Sequence, residues 1–337
     1  MKYITLDSPG EPNVLHLAQT EAPRPRRGEV AIAVEAAGVC RADTLQRRGT
    51  YPPPAGASTT LGLEVAGTIS ELGEGVTEWN VGDRVCALCN GGGYAETVTV
   101  PAGQVLPIPD HWSAIEAASL PENAFTVYDN LFTRARLAAG ETVLVHGATS
   151  GIGTTAVMFA RAFGARVIGT AGSPAKCEAS RRLGVDIVID YTKDDFVIEA
   201  LAATQGRGVD VILDIVGGDY IARNLRCIAL DGRIACIAFA RGRLCEIDLA
   251  FLLSRRATIF GSSLRPRSEE QKAEIASKLR EHIWPLLPAR DPISPIIDSV
   301  VPFDEASQAH ARMESSLHIG KIVLVPEKPL ARGGGIR

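Results

Sequence analysis

Nowhere in the 337 residues do 18 apolar side chains follow one another, so the pattern holds no helix long enough to span a bilayer. The opening stretch MKYITLDSPG has neither the basic head nor the apolar run of a secretory signal, and residence in the cytosol is expected. Cysteine is sparse and odd in number, seven scattered residues, which argues for reduced thiols and against a disulfide framework. Positive charge is not in excess. A net charge of −4 gives no general attraction to nucleic acid or an anionic membrane, and APRPRRG and the pair Arg255, Arg256 read as solvated surface. The six histidines form neither a triad nor a metal-ligand pattern. What is abundant is apolar residue content, 46%, enough to bury the core of two domains or one large one.

Two textures divide the chain. From Lys2 to about Ile108, short apolar runs alternate with Gly and Pro turns, as in VAIAV at 30–34 and further runs near 65–71, 83–88 and 94–100, a β-barrel or sandwich texture. Near Trp112 it changes: Ser113 with Glu116 is a capping-box pair, and helical sequence runs on towards Leu137. After Gly140 strand and helix alternate strictly: TVLVHG, a helix from Gly151 to Phe163, RVIGT, a helix from Pro174 to Leu183, DIVID, a helix to Ala203, then DVILDIV and RIACIAF. Such alternation predicts a parallel sheet covered by helices on both faces. The remainder is mixed, with strand ATIFGSS, a helix from about Glu269 to Ile283, strand GKIVLVP and a tail expected to be unstructured. No internal repeat is present.

TVLVHGATSGIGTTAVMFARAFG carries the most chemistry. An apolar strand ends at His146, a turn of small residues (Gly147, Ala148, Ser150, Gly151, Gly153) follows, and a helix starts at once. Glycine there lets backbone approach a pyrophosphate, and the N–H groups opening the helix hold it; Ala148, Ser150, Gly151 and Ile152 are the expected contacts. The alternative is a glycine-rich turn without a ligand. NAD-specific sites place an acid near the end of the second strand to bind both ribose hydroxyls. This chain has VIGTAGSPAK there instead, with Gly172, Ser173 and Lys176 suited to a 2′-phosphate and Tyr191 placed to cover the same end. Lys176 also reads as an ordinary solvated lysine at a helix start. Cys86 and Cys89, at C-x-x-C spacing, read on their own as a metal clip, a redox pair or buried packing.

RADTLQRRGTYPPPAGAS at 41–58, LGLEVAGTISELGEGV at 61–76, GGGYAETVTVP, GATSGIG, DVILDIVGG and GKIVL follow in order across almost the whole chain. In these stretches the sequence resembles the medium-chain dehydrogenases/reductases, and among them the zinc-independent quinone oxidoreductases of the zeta-crystallin type, most of all the tumour-suppressor-induced group. The resemblance implies an α/β fold: a GroES-like β-barrel catalytic domain from 1–121 and 262–330, a Rossmann domain from 122–261 between them, a cleft for nicotinamide and substrate, and a disordered tail at 331–337. Zinc-dependent relatives draw their metal ligands from a Cys in a GVCHTD-like stretch, a His in GHE and a Cys near the start of the linking helix. Here Cys40 stands in GVCRAD, Leu63 in GLE, and the third position falls near Asn123. One ligand of three does not hold catalytic zinc, so no metal is expected, and Cys86 and Cys89 are left as packing.

The resemblance further implies NADPH as cofactor, a small-molecule quinone or enone as substrate, and a homodimer with no membrane or nucleic-acid partner. Tyr51 is expected on the loop over the acceptor with Gln46 nearby, either of them hydrogen-bonding the developing oxyanion as a catalytic residue, while Tyr51 also reads as a loop aromatic packed on Pro52–Pro54. Thr126 and Tyr128 match a helix that contacts the cofactor, Phe239 and Leu264 fall on loops around the nicotinamide, and Lys321 and Cys40 are expected at the cofactor too. Cys40 departs from the Asn common at its position. Three functions follow: NADPH:quinone reduction; NADPH-dependent reduction of an activated C=C bond in an enone, enal or enoyl thioester; or a structural, regulatory or RNA-binding role with bound NADPH.

Overall fold

The computed structural model describes residues 1–289, 291 and 293–326; the tail expected at 331–337 lies outside them. Chain contacts gather into two units, residues 1–122 with 297 onward, and residues 123–296. No helix among the described residues is long and apolar enough to cross a membrane.

The first unit opens with β1 (Lys2–Thr5) and β2 (His16–Gln19), a two-stranded antiparallel pair. β3 (Glu29–Val39) follows and leads into α1 (Arg41–Arg47), then β4 (Glu64–Leu72), β5 (Arg84–Leu88), β6 (Thr97–Pro101) and β7 (Val105–Pro107). Val30, Ile32 and Val34 all point into the core while Ala33 is exposed, as the two-residue period requires. β3 is the long hub of this sheet, pairing antiparallel with both β4 and β6.

The capping box at Ser113 and Glu116 forms, but the helix it opens, α2 (Ala114–Ala118), is short. Pro121 starts a fresh helix, α3 (Pro121–Val127), because proline lacks the N–H needed inside a helix and is tolerated in its first turn. The run then widens into a π-helical turn, Tyr128–Arg134. The single helix expected to reach Leu137 is therefore three pieces.

The second unit alternates: β8 (Thr142–Val145), α4 (Gly151–Ala162), β9 (Arg166–Ala171), α5 (Pro174–Arg182), β10 (Ile187–Asp190), α6 (Phe196–Ala203), β11 (Val209–Asp214), α7 (Tyr220–Cys227), β12 (Ile228–Cys236), α8 (Leu249–Arg255) and β13 (Thr258–Gly261). Its strands lie in the order β10-β9-β8-β11-β12-β13, all parallel. The chain winds outward from β8 to one side and from β11 to the other, so the strand order reverses between these two, where open parallel sheets bind ligands at their carboxyl ends.

The second unit extends beyond the boundary expected at 261, through α9 (Glu269–His282) to residue 296. Polar ties explain this. Ser262 Oγ donates to Asn130 Oδ1 at 2.8 Å, the Arg267 guanidinium pairs with Asp129 at 2.6 Å, and Tyr128 Oη and His282 Nδ1 lie 3.0 Å apart. The chain returns to the first unit with β14 (Ile297–Pro302), α10 (Ala306–Glu314) and β15 (Lys321–Val325). β15 inserts between β14, with which it is parallel, and β3, with which it is antiparallel.

Candidate functional site

At the switch point of the second unit, β8 ends in His146 and the chain turns at once into α4. Ser150 caps that helix, its Oγ accepting from Gly153 N at 2.9 Å. Gly153 is obligatory: a Cβ there would lie 2.1 Å from the Gly147 carbonyl oxygen. The turn is held from beneath, since Thr170 Oγ1 accepts from Gly147 N at 3.2 Å and the Thr170 carbonyl from Ala148 N at 3.0 Å. The backbone of Gly151 and Ile152 thus opens a twelve-residue helix at a point fixed on both sides, the geometry that holds a pyrophosphate.

Behind the turn lies a polar chain that sequence reasoning missed. His146, buried, sets its Nε2 2.9 Å from Asn224 Oδ1, and Asn224 Nδ2 donates to Asp214 Oδ2 at 2.5 Å. Asp214 Oδ1 in turn accepts from Val216 N and Gly217 N, which bends the chain after β11. Burial pushes the His146 imidazole below its usual range while Asp214 pulls it up. The signal was present in DIVGG, an acid before a glycine pair at a strand end, but its partners are distant in sequence.

At the ends of β9 and β10 the structure brings together Gly172, Ser173, Lys176 and Tyr191. Ser173 caps α5, accepting from Lys176 N at 3.3 Å, and Lys176 is half-buried. A Cβ on Gly172 would meet the Tyr191 hydroxyl oxygen at 2.1 Å, so glycine is what lets the ring stand over this strand end. The stretch VIGTAGSPAK, which spans the end of β9 and the start of α5, contains no acidic residue.

The other expected contacts in this unit are more dispersed. Thr126 has a buried Oγ1 with no hydrogen-bond partner among the described residues. Tyr128 is buried against Phe132 and His282, its hydroxyl engaged by the latter. Phe239 is 65% exposed on the loop after β12, and Leu264 is half-buried beyond β13.

The first unit holds two polar knots. In one, Cys40 caps α1 and Asp43 answers it: Asp43 Oδ2 accepts from Cys40 N at 2.8 Å, and Oδ1 from Gly62 N at 2.9 Å. Cys40 Sγ donates to Glu64 Oε1 at 3.4 Å, and Lys321 Nζ pairs with the same oxygen at 2.5 Å while lying 3.5 Å from the thiol. Glu64 Oε2 accepts from Glu122 N at 2.9 Å. Cys40, Glu64 and Lys321 are all buried. Burial and Glu64 push the Cys40 thiol well up, so it stays protonated. Lys321, expected at the cofactor, has its ammonium committed to Glu64 and Cys40 within this unit.

In the second knot Arg47, fully buried, donates Nε to the Gly10 carbonyl at 3.0 Å and pairs with Glu314 at 2.6 Å. It also lies 3.3 Å from His310 Nδ1. An arginine only donates, so Nδ1 accepts, and His310 Nε2 carries the proton towards Tyr94 Oη at 3.1 Å, leaving the Tyr94 hydroxyl for Asp43 Oδ2 at 3.3 Å. Burial, reinforced by Arg47, drops the His310 imidazole to about 3.

Tyr51 is half-buried on the loop between α1 and β4. Gln46 Nε2 donates across the base of that loop to the Thr59 carbonyl at 2.9 Å. Gln46 also lines a cavity of about 490 Å³ with Tyr3, Thr5, Pro52, Pro53 and Thr60. Neither Cys40, Glu64 nor Lys321 lines it.

Cys86 on β5 and Cys89 just beyond it are buried, both thiols pushed well up by burial, and Cys89 N donates to the Leu63 carbonyl at 2.7 Å. All seven cysteines are free thiols. Among the described residues no group of three or more His, Cys, Asp and Glu is arranged to hold a metal ion.

Residues 26–110 match the alcohol dehydrogenase GroES-like domain, and residues 151–278 match a family described as zinc-binding dehydrogenase. The rat (Rattus norvegicus) quinone oxidoreductase is 32% identical over 331 residues, 96% of this chain and 98% of the rat protein. The Escherichia coli quinone oxidoreductase, solved in complex with NADPH, superposes with a TM-score of 0.85 at 28% identity, covering 97% of this chain and 100% of that one. The CurK enoyl reductase reaches 0.84 at 29% identity over 96% of this chain and 98% of its own.

Proposed function

We propose, for a chain that belongs to the quinone oxidoreductase family of medium-chain dehydrogenases/reductases, that it reduces quinones with NADPH and without zinc. The observation that carries this reading is the β8–α4 turn: Gly153 has no room for a side chain, and two backbone N–H groups are fixed by Thr170. Ser150, Gly151 and Ile152 would hold the pyrophosphate there, beside Ala148, whose own N–H is spent on the Thr170 carbonyl, and the buried Thr126 Oγ1, without a partner among the described residues, would supply a further polar contact. Bound NADPH supplies the hydride. Ser173, Lys176 and Tyr191, with no acid after β9, support the 2′-phosphate form over NAD.

In the first unit Tyr51 donates its hydroxyl to the acceptor oxygen as negative charge gathers on it, and Gln46, by clamping Thr59, fixes the loop that carries Tyr51. The zinc-free reading is supported by Leu63 and by the ammonium of Lys321, a cation already seated against Cys40. The protein works as a cytosolic homodimer in this reading. β13 is an outer strand of the parallel sheet with an edge that a two-fold mate could pair, and Leu244, Leu249 and Leu253, which precede it in the chain, are exposed.

Reduction of an activated C=C bond is the second reading, favoured by the likeness to the CurK enoyl reductase. NADPH oxidation with a panel of quinones and α,β-unsaturated carbonyls separates the two, and inertness toward both classes would leave only a binding role. Lys176→Ala should weaken NADPH by about 1.5–3 kcal/mol and leave NADH nearly unchanged. Tyr51→Phe should slow single-turnover NADPH oxidation by benzoquinone about tenfold at unchanged NADPH affinity, below the usual value of an oxyanion donor because quinone charge is delocalised. Equal losses for both cofactors, or an unaltered rate, would remove those assignments.

A further inference from the structure

We propose that Asn224 is a positioning residue for NADPH: acting through His146 and Thr170 on the turn after β8, and through Asp214 on the turn after β11, it holds the two walls of the switch-point crevice at one spacing. This rests on the NADPH reading above and deepens it, because the side chain that sets the site is itself fully buried.

The hydrogen bonds assign every proton along the chain. Asn224 Nδ2 donates to Asp214 Oδ2 at 2.5 Å, which turns the amide oxygen towards His146 Nε2, 2.9 Å away, so Nε2 carries the ring proton. Nδ1 is then the acceptor, and the Thr170 hydroxyl, 3.3 Å away, donates to it. That leaves a lone pair of Thr170 Oγ1 for Gly147 N–H at 3.2 Å. At the far end Asp214 Oδ1 accepts from Val216 N at 2.6 Å and Gly217 N at 2.7 Å. Every donor from Gly147 to Asn224 points the same way, towards the Asp214 carboxylate, and bonds in such a row strengthen one another. Phe196 and Tyr220 stand edge-on to the imidazole, 4.8 and 5.0 Å between ring centres, and both are buried, so water does not make good a lost link.

The two ends are the places that need holding. β8 and β11 are parallel neighbours where the strand order reverses, and open sheets of this kind bind dinucleotides across the crevice at the turns that follow such strands. Each turn passes through a glycine in the left-handed region, Gly147 at φ +68° and Gly217 at φ +66°, where the backbone is least constrained by its own sterics. The turns also meet, since a Cβ on Gly147 would lie 2.8 Å from Ile215 Cδ1. The second turn takes the loop after β12 with it: the Ile215 carbonyl accepts from Ala240 N at 3.3 Å and the Val216 carbonyl from Arg241 N at 2.8 Å, beside Phe239. Asn224 is the member that joins the two ends. Without it a ligand spanning both turns must first order them, and that ordering is subtracted from its affinity.

The test uses the whole chain and needs no acceptor. Amide hydrogen exchange is followed in the ligand-free protein, and affinity is measured for NADPH and for 2′,5′-ADP, which lacks the nicotinamide half. In Asn224→Leu, exchange should quicken in both 146–150 and 215–218, NADPH should weaken about tenfold or more, and 2′,5′-ADP by about threefold or less. Thr170→Val cuts the first end alone and should quicken exchange in 146–150 only, weakening both ligands alike, whereas Thr170→Ser keeps the hydroxyl and should restore the parent values. Equal losses for the two ligands in Asn224→Leu, quickened exchange at one turn only, or NADPH affinity within about twofold of the parent overturns the inference. An unaltered chain that binds NADPH yet reduces neither quinones nor enones overturns the proposed reaction alone, and one that does not bind NADPH overturns both. Should Asn224→Leu not fold, Asn224→Ser takes its place, with the same results expected and the same results overturning the role.

Discussion

The knot of Arg47, His310, Tyr94 and Asp43 and the knot of Cys40, Glu64, Lys321 and Glu122 lie in one β-rich unit and share Asp43, yet they handle buried polarity in opposite ways. In the first, every donor meets an acceptor in one directed chain from guanidinium to carboxylate, and the histidine stays neutral. In the second, two acids, Glu64 and Glu122, share the one ammonium of Lys321. A saturated network fixes a single packing, whereas one with a surplus acid keeps a proton that can leave.

The largest expected effect breaks the comparison through pH. His310 titrates at about 3 in the folded chain against ~6.5 unfolded, so its contribution is complete above about pH 6.5 and is lost as pH falls towards 3. Full loss corresponds to roughly 4–5 kcal/mol at about 1.4 kcal/mol per pH unit, and His310→Gln should flatten that part of a chemical-denaturation series. A series equally steep in the variant would mean that carboxylates elsewhere, such as Asp298 and Asp210, carry the acid sensitivity.

Next in size, Lys321→Met strands the Glu64 carboxylate in a dry site and should cost about 3–5 kcal/mol, while adding Glu64→Gln should restore much of it. If the single variant is as stable as the parent, the second knot is wetter than its burial implies. The smallest effect has the reverse sign to that of His310. The Glu122 carboxyl is raised above its unfolded value, so stability is complete below about pH 4.5 and falls as pH rises through about 7. Glu122→Gln should therefore gain about 1–2 kcal/mol at pH 8, after allowance for solvent screening, and nothing at pH 4. Opposite slopes for His310 and Glu122 would sharpen the contrast; parallel slopes would dissolve it.

The second unit was largely legible because its information is local. The turn at 146–153, the strand–helix alternation and the caps at Ser150 and Ser173 each lie within a few residues, and the helices α4 and α5 agree to within one position, whereas β12 starts five residues before the expected RIACIAF. The first unit was legible in its strands but not in its polar interior. Arg47 meets His310 and Cys40 meets Lys321 across more than two hundred and fifty residues, and no periodicity announces such pairs. Leu63 and Asn123 were weighed as positions of missing metal ligands, and the acids beside them, Glu64 and Glu122, passed unnoticed. The chain's contacts carry the second unit to residue 296, past the 261 expected, and the ties from Asn130 and Asp129 to Ser262 and Arg267 depend on side chains that pattern alone does not pair.

The insertion of β15 between β14 and β3 sets an order of assembly on the ribosome. β3 emerges early, but Val39, Gly38 and Ala37 wait for Ile322, Val323 and Leu324, which are made after the whole of the parallel-sheet unit. That unit, complete by residue 296, can fold while the chain is still being extended, whereas the barrel-like unit begun first is finished last. The Lys321 ammonium arrives with the same strand, so until synthesis nears its end Glu64 lacks the cation it pairs with in the folded chain. A truncation before residue 321 should thus yield a soluble nucleotide-binding half joined to an unfinished sheet that draws chaperones, visible as dinucleotide binding without protease resistance in residues 1–122.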